Sequence, residues 1–160
     1  MAAGPPLAEE STIYERILWA HDRSERAELA LPHVVAIARA FGSEVIVCNV
    51  IELDEGLGGT ETRPADGVVS SEVLDHATAL LLEHGVVEVR PLIMQGLAAH
   101  AIADTARIED VQLVVVTTRA RGTIARTIIG SVSETVARTT PGIAVLVIQP
   151  PEAPDGDATA

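Results

Sequence analysis

The stretch Val111–Ile148, VQLVVVTTRARGTIARTIIGSVSETVARTTPGIAVLVI, is the most informative part of the sequence. It opens with an apolar run, passes through an Arg- and Thr-rich loop, starts a helix at Gly130-Ser131, turns at Pro141-Gly142 and closes in a second apolar run. Two continuous apolar runs around one helical segment predict a βαβ unit whose strands are buried on both faces. A loop that feeds a helix N-terminus is where such units hold phosphate, because the first N–H groups of a helix lack intrahelical partners and its dipole favours an anion.

Upstream the same alternation recurs. Ile13–Ala20, IYERILWA, predicts a first strand that His21-Asp22-Arg23-Ser24 closes. Ser24 is placed to cap a helix, with Glu25 and Glu28 in its first turn. Apolar residues from Ala27 to Phe41 then keep helical spacing as far as Gly42, a stop signal, while Pro32 inside the pattern predicts a kink or a break. Ser43–Ile51 reads as a second strand. Residues 52–70 hold Gly56, Gly58, Gly59, Pro64 and Gly67 without periodicity, which predicts a mobile loop. A helix over Ser71–Gly85, a third strand over Val86–Met94 and a helix over Leu97–Ile108 follow, and Pro91 favours an edge position for that strand. A fourth strand at residues 111–118, a helix over Ser131–Arg138 and a fifth strand over Ile143–Ile148 complete the alternation. The expectation is one α/β domain over residues 13–149, doubly wound, with a five-stranded, mostly parallel sheet and helices on both faces. Residues 1–12 and 150–160 are expected to be disordered tails.

The chain of 160 residues carries a formal net charge of -12, but most of that excess lies in the two tails and the 52–70 segment. Acidity placed there argues for solubility and against a nucleic-acid surface. There is no lysine, which excludes a P-loop lysine and Schiff-base chemistry. Four of the eleven arginines, Arg119, Arg121, Arg126 and Arg138, fall between Thr117 and Arg138 against one acid, Glu134. That stretch is therefore locally basic, and the arginine fork suits phosphate, although arginines that merely solvate a helix face read the same way. Cys48, the single cysteine, sits in an apolar run and reads as a buried hydrophobe rather than a reactive thiol. His33, His76, His84 and His100 show no metal-ligand spacing. No apolar run approaches the length of a membrane span, and the expected location is the cytoplasm.

The segment from Tyr14 to Gln149 resembles the universal stress protein family in its IL-x-A-x-D-x-S start at Ile17–Ser24, its NVIE strand end at Asn49–Glu52 and its GSVSE helix start at Gly130–Glu134. The family's nucleotide motif is Gly, two residues, Gly, nine residues, Gly, then Ser or Thr. Counted back from Gly130-Ser131, its upstream glycines are replaced by Thr117 and Ala120. The resemblance implies strand order 3-2-1-4-5 and an adenine nucleotide, ATP or AMP with Mg²⁺, in the crevice between strands 1 and 4. It implies that Asp22 bonds the ribose or adenine region and that backbone at Val50 and Val116 lines the adenine slot. Gly130, Ser131 and Val132 would hold phosphate, with Arg119 near the phosphate tail. It further implies a homodimer formed through the last strand or the adjacent surface, and a regulatory, non-enzymatic role with a protein partner that the sequence does not name.

Each assignment has a plainer counterpart. Gly130-Ser131 reads equally as a turn and helix cap, and Asp22 as a turn residue. If the missing glycines served positive φ or close approach to the nucleotide, each Cβ at 117 and 120 would cost about 1–2 kcal/mol. An interaction module of the same fold without nucleotide is the alternative. A slow ATP hydrolase is less supported, because the sequence offers no positioned base, metal cluster or nucleophile. His21, Asp22 and Ser24 do not read as a triad, since adjacent side chains on extended backbone point apart.

Overall fold

The computed structural model describes residues 13–52, 64–118 and 130–151. The apolar runs become five strands: β1 (Arg16–Ala20), β2 (Glu44–Ile51), β3 (Glu88–Gln95), β4 (Leu113–Thr117) and β5 (Ala144–Ile148). They form one sheet of order β3-β2-β1-β4-β5, and all four ladders are parallel. Parallel neighbours need crossovers, and α1 (Leu31–Phe41), α2 (Pro64–Glu83), α3 (Ala98–Ile108) and α4 (Ser131–Thr139) supply them.

Alternate strand residues face opposite layers. Ile17, Trp19, Val45, Val47, Leu113 and Val115 pack with Val34 and Ala38 of α1 and with Leu74, Ala77 and Leu81 of α2. Leu18, Ile46, Cys48, Val114 and Val116 pack instead with Ile102 and Ala106 of α3 and with Val136 of α4. Both faces of the central strands are therefore apolar, which is why β2 and β4 read as continuous hydrophobic runs. At the N-terminal ends of the strands Glu44 pairs with Arg16 at 3.1 Å and with Arg90 at 3.0 Å, and Arg90 reaches Glu109 at 2.6 Å.

Two proline readings hold. Pro91 lies in the edge strand β3, and Pro32 enters α1 in its first turn after a separate 3-10 turn at Ala27–Ala30, so the chain breaks where that residue forbids a continuous helix. The expected loop over residues 52–70 needs correction at its C-terminal end: α2 begins at Pro64, not at Ser71, while residues 53–63 lie outside the described residues. Pro64 and Gly67 are loop signals in isolation, but proline suits the first helical position, where its missing N–H has no intrahelical partner to lose. Ser70, fully buried, then anchors this early part of the helix through its hydroxyl, which donates to Asn49 Oδ1 at 2.8 Å.

Candidate functional site

The strand order reverses at β1, whose neighbours β2 and β4 lead the chain in opposite directions along the sheet. A crevice therefore opens outside the C-terminal ends of β1 and β4, the place where open α/β sheets bind ligands. A cavity of about 490 Å³ occupies it. Asp22 from the β1 exit, Val50 from β2, Val116 and Thr117 from β4, and Gly130, Ser131 and Val132 at the start of α4 all line it. Seven of the nine residues singled out in the sequence thus come together. The other two, Arg119 and Ala120, lie outside the described residues.

The β1 exit is a rigid turn. Asp22 Oδ1 accepts from the Ser24 amide at 3.1 Å and from the Ser24 hydroxyl at 2.5 Å, and Ser24 Oγ accepts from the Ala27 amide at 3.3 Å. Asp22 is therefore a turn residue and a cavity residue at once. Arg23 adopts a φ of 66°, and its amide donates to His21 Nδ1 at 3.2 Å. That bond occupies one imidazole nitrogen, while Ser24 is bonded to Asp22 rather than to His21, so no triad forms. His21 is 4% exposed, its ring meets Trp19 edge-on at 5.2 Å, and burial lowers its pKa against the opposing pull of Asp22 and Glu28.

At the opposite wall α4 starts without a side-chain cap, and its first helical bond runs from the Glu134 amide to the Gly130 carbonyl at 2.9 Å. The amides of the first turn have no acceptor within the helix and are available to an anion in the cavity. Gly130 has a φ of -52°, which any residue adopts, and a Cβ there would lie 3.7 Å from Ser133 Oγ and 3.9 Å from Thr118 Cβ, ordinary contacts. Neither its own backbone nor the packing of the described residues requires glycine at this position. Among the described residues only Arg23 and Asp110 combine a side chain with positive φ, so Thr117 occupies unstrained strand backbone. The backbone cost expected at 117 is thus absent, and only close approach to a ligand is left as a reason for glycine there. The Thr117 hydroxyl is buried and makes no hydrogen bond among the described residues.

Of the four arginines behind the expected local basicity, only Arg138 is among the described residues. Arg138 is 78% exposed and pairs with Glu134 at 3.6 Å near the far end of α4, away from the cavity, while Arg121 and Arg126 lie outside the described residues. Arg23 lines the cavity instead. Sequence reasoning missed Asn49, Ala98 and Ile102, which also line it. The signal for Asn49 was legible, as it is the one polar side chain in the run Val45–Ile51. Ala98 and Ile102 both belong to α3, and Ile102 packs against the sheet and walls the cavity at once.

Residues 13–149 match the universal stress protein family. The chain is similar to universal stress protein MJ0577 of Methanocaldococcus jannaschii, at 25% identity over 147 residues, covering 80% of this chain and 91% of that one. Among solved structures it resembles the universal stress protein from Archaeoglobus fulgidus in complex with dAMP, with a TM-score of 0.67, 25% identity and coverage of 85% of this chain and 98% of the other. It also resembles a universal stress family protein from Burkholderia pseudomallei, with a TM-score of 0.64, 25% identity and coverage of 86% and 97%.

Proposed function

This chain belongs to the universal stress protein family, and from that premise we propose that it is a homodimeric regulatory protein of the cytoplasm that binds an adenine nucleotide, AMP or ATP with Mg²⁺, at the C-terminal ends of β1, β2 and β4. The observation that carries the reading is the uncapped start of α4, whose first-turn amides border a cavity next to a glycine that the fold itself does not need. The dAMP complex of the Archaeoglobus fulgidus relative supports the ligand class. In this reading the α4 amides and the Ser131 hydroxyl hold phosphate, Asp22 meets the ribose or adenine, and backbone at Val50 and Val116 borders the base. The family resemblance would add Arg119 near the phosphate tail.

We read the site as binding rather than catalytic. Its polar groups are amides, hydroxyls, the Arg23 guanidinium and two carboxylates, Glu52 and Asp22, the latter engaged with Ser24, and the His21 imidazole has one nitrogen occupied by a backbone amide. Among the described residues no carboxylate hydrogen-bonds either ring nitrogen, so the imidazole lacks the partner that orients and charges it as the base of a triad.

The test is calorimetric titration and thermal shift with dAMP, AMP and MgATP on the wild type and on Gly130→Asp. At about a hundred times the dissociation constant a nucleotide contributes about 2.7 kcal/mol, or a rise of about 5–10 °C for a domain of this size. Gly130→Asp should keep the ligand-free melting temperature and abolish the shift, because its carboxylate enters the anion site. Equal shifts in both proteins would refute the site. No shift in the wild type at millimolar nucleotide would favour the interaction module, with Thr117 and Ala120 closing the cavity to phosphate.

A further inference from the structure

We propose that Asn49 is a positioning residue for the nucleotide site, a buried bridge that couples the β1 exit to α2; the proposal rests on the nucleotide reading above. Asn49 follows Val45 and Val47 on the face of β2 that packs against α1 and α2, and it is 2% exposed. Its Nδ2 donates to the His21 carbonyl at 2.7 Å, and its Oδ1 accepts from the Ser70 hydroxyl at 2.8 Å. The His21 amide in turn donates to the Cys48 carbonyl at 2.7 Å. The peptide groups on both sides of His21 are therefore held by β2, and the second of them sets the direction in which Asp22 leaves the strand.

A buried amide is costly to strand without partners, so a shift of either end of this bridge is opposed by the other. Among the described residues, none lining the cavity belongs to α2. Ser70 thus bears on the ligand through Asn49 and the β1 exit, and a nucleotide that fixes Asp22 also fixes the seating of α2. The coupling is reciprocal, since any element whose position changes ligand affinity is itself stabilised by the ligand.

The experiment compares wild type, Ser70→Ala and Asn49→Ala by dAMP titration, by hydrogen exchange of the Val69–Leu74 amides with and without dAMP, and by amide chemical shifts of Asp22–Ser24 in ligand-free protein. Ser70→Ala removes one hydroxyl that does not itself line the cavity and keeps the variant set informative if Asn49→Ala does not fold. The expected result is that dAMP slows exchange in α2 of the wild type, that Ser70→Ala moves the Asp22–Ser24 signals, and that it weakens dAMP binding by about 5- to 50-fold while removing the α2 protection. A merely structural role would lower the melting temperature and leave the ligand-dependent protection in place. Unchanged affinity and unchanged Asp22–Ser24 signals in Ser70→Ala would overturn the bridge even if the wild type binds dAMP. A wild type that binds no nucleotide, with Asp22–Ser24 signals that still move in Ser70→Ala, would refute the nucleotide reading and with it the positioning role, while leaving the bridge itself standing.

Discussion

His21 and Thr117 carry the chemistry specific to this chain. The native form of His21 is the neutral ring, because burial disfavours its charge and Nδ1 accepts from the Arg23 amide. An unfolded histidine takes up its proton near pH 6.5, whereas the folded one resists until lower pH. Its contribution to stability is thus complete above about pH 6.5 and is lost as pH falls through that value towards the depressed folded pKa. The urea midpoint should drop between pH 6.5 and 5 in the wild type and drop less in His21→Asn. Trp19, the single tryptophan, touches this ring and should report the titration by its fluorescence; a flat signal over that range would count against the assignment. Thr117 stands where the family motif, by resemblance, has glycine, and its hydroxyl is buried without a partner among the described residues. If that hydroxyl bonds the nucleotide, Thr117→Val should weaken dAMP binding by about 3- to 10-fold in calorimetry, as expected for one neutral hydrogen bond. Equal affinity would mean that the side chain merely fills space.

At the scale of elements, two glycines at helix ends serve different purposes. Gly42 closes α1 in the left-handed region with a φ of 65°, and a Cβ there would meet no atom within 4 Å, so its requirement is purely of backbone. Gly42→Ala should cost about 1 kcal/mol, whereas Gly130→Ala should leave stability within about 0.5 kcal/mol, since φ at 130 is ordinary. Urea midpoints of the two variants check this contrast, and an equal loss in both would remove the case that Gly130 is kept for a ligand. The helices also show where pattern reading reaches its limit. Pro32 and Gly42 act through their own backbone and were legible as a break and a stop. The start of α2 at Pro64 was not, because helix there is favoured by the Ser70–Asn49 contact, made across the domain between residues 21 positions apart.

For the whole molecule, the edge strand β5 bears on the proposed dimer. It pairs only with β4, and its sequence AVLVI has no charge or proline to discourage pairing with another chain. Val145→Lys should convert a dimer into a monomer in sedimentation velocity while nucleotide affinity stays within about twofold, with the urea midpoint as a control for folding. A wild type that sediments as a monomer at all concentrations would eliminate the dimer. The sequence by itself determined the α/β class, the number of strands and their alternation with helices, and the α4 start as a candidate anion site, because periodicity, breakers and helix ends are set within a few residues of one another. The resemblance supplied the strand order that the structure bears out. Only the tertiary structure decided that Asp22, Thr117 and Gly130 border one cavity, that Ala98 and Ile102 wall it, that Thr117 carries no backbone strain, and that Asn49 ties the β1 exit to α2. Those facts depend on how distant segments meet, and the local free energies that pattern a sequence carry no record of that meeting.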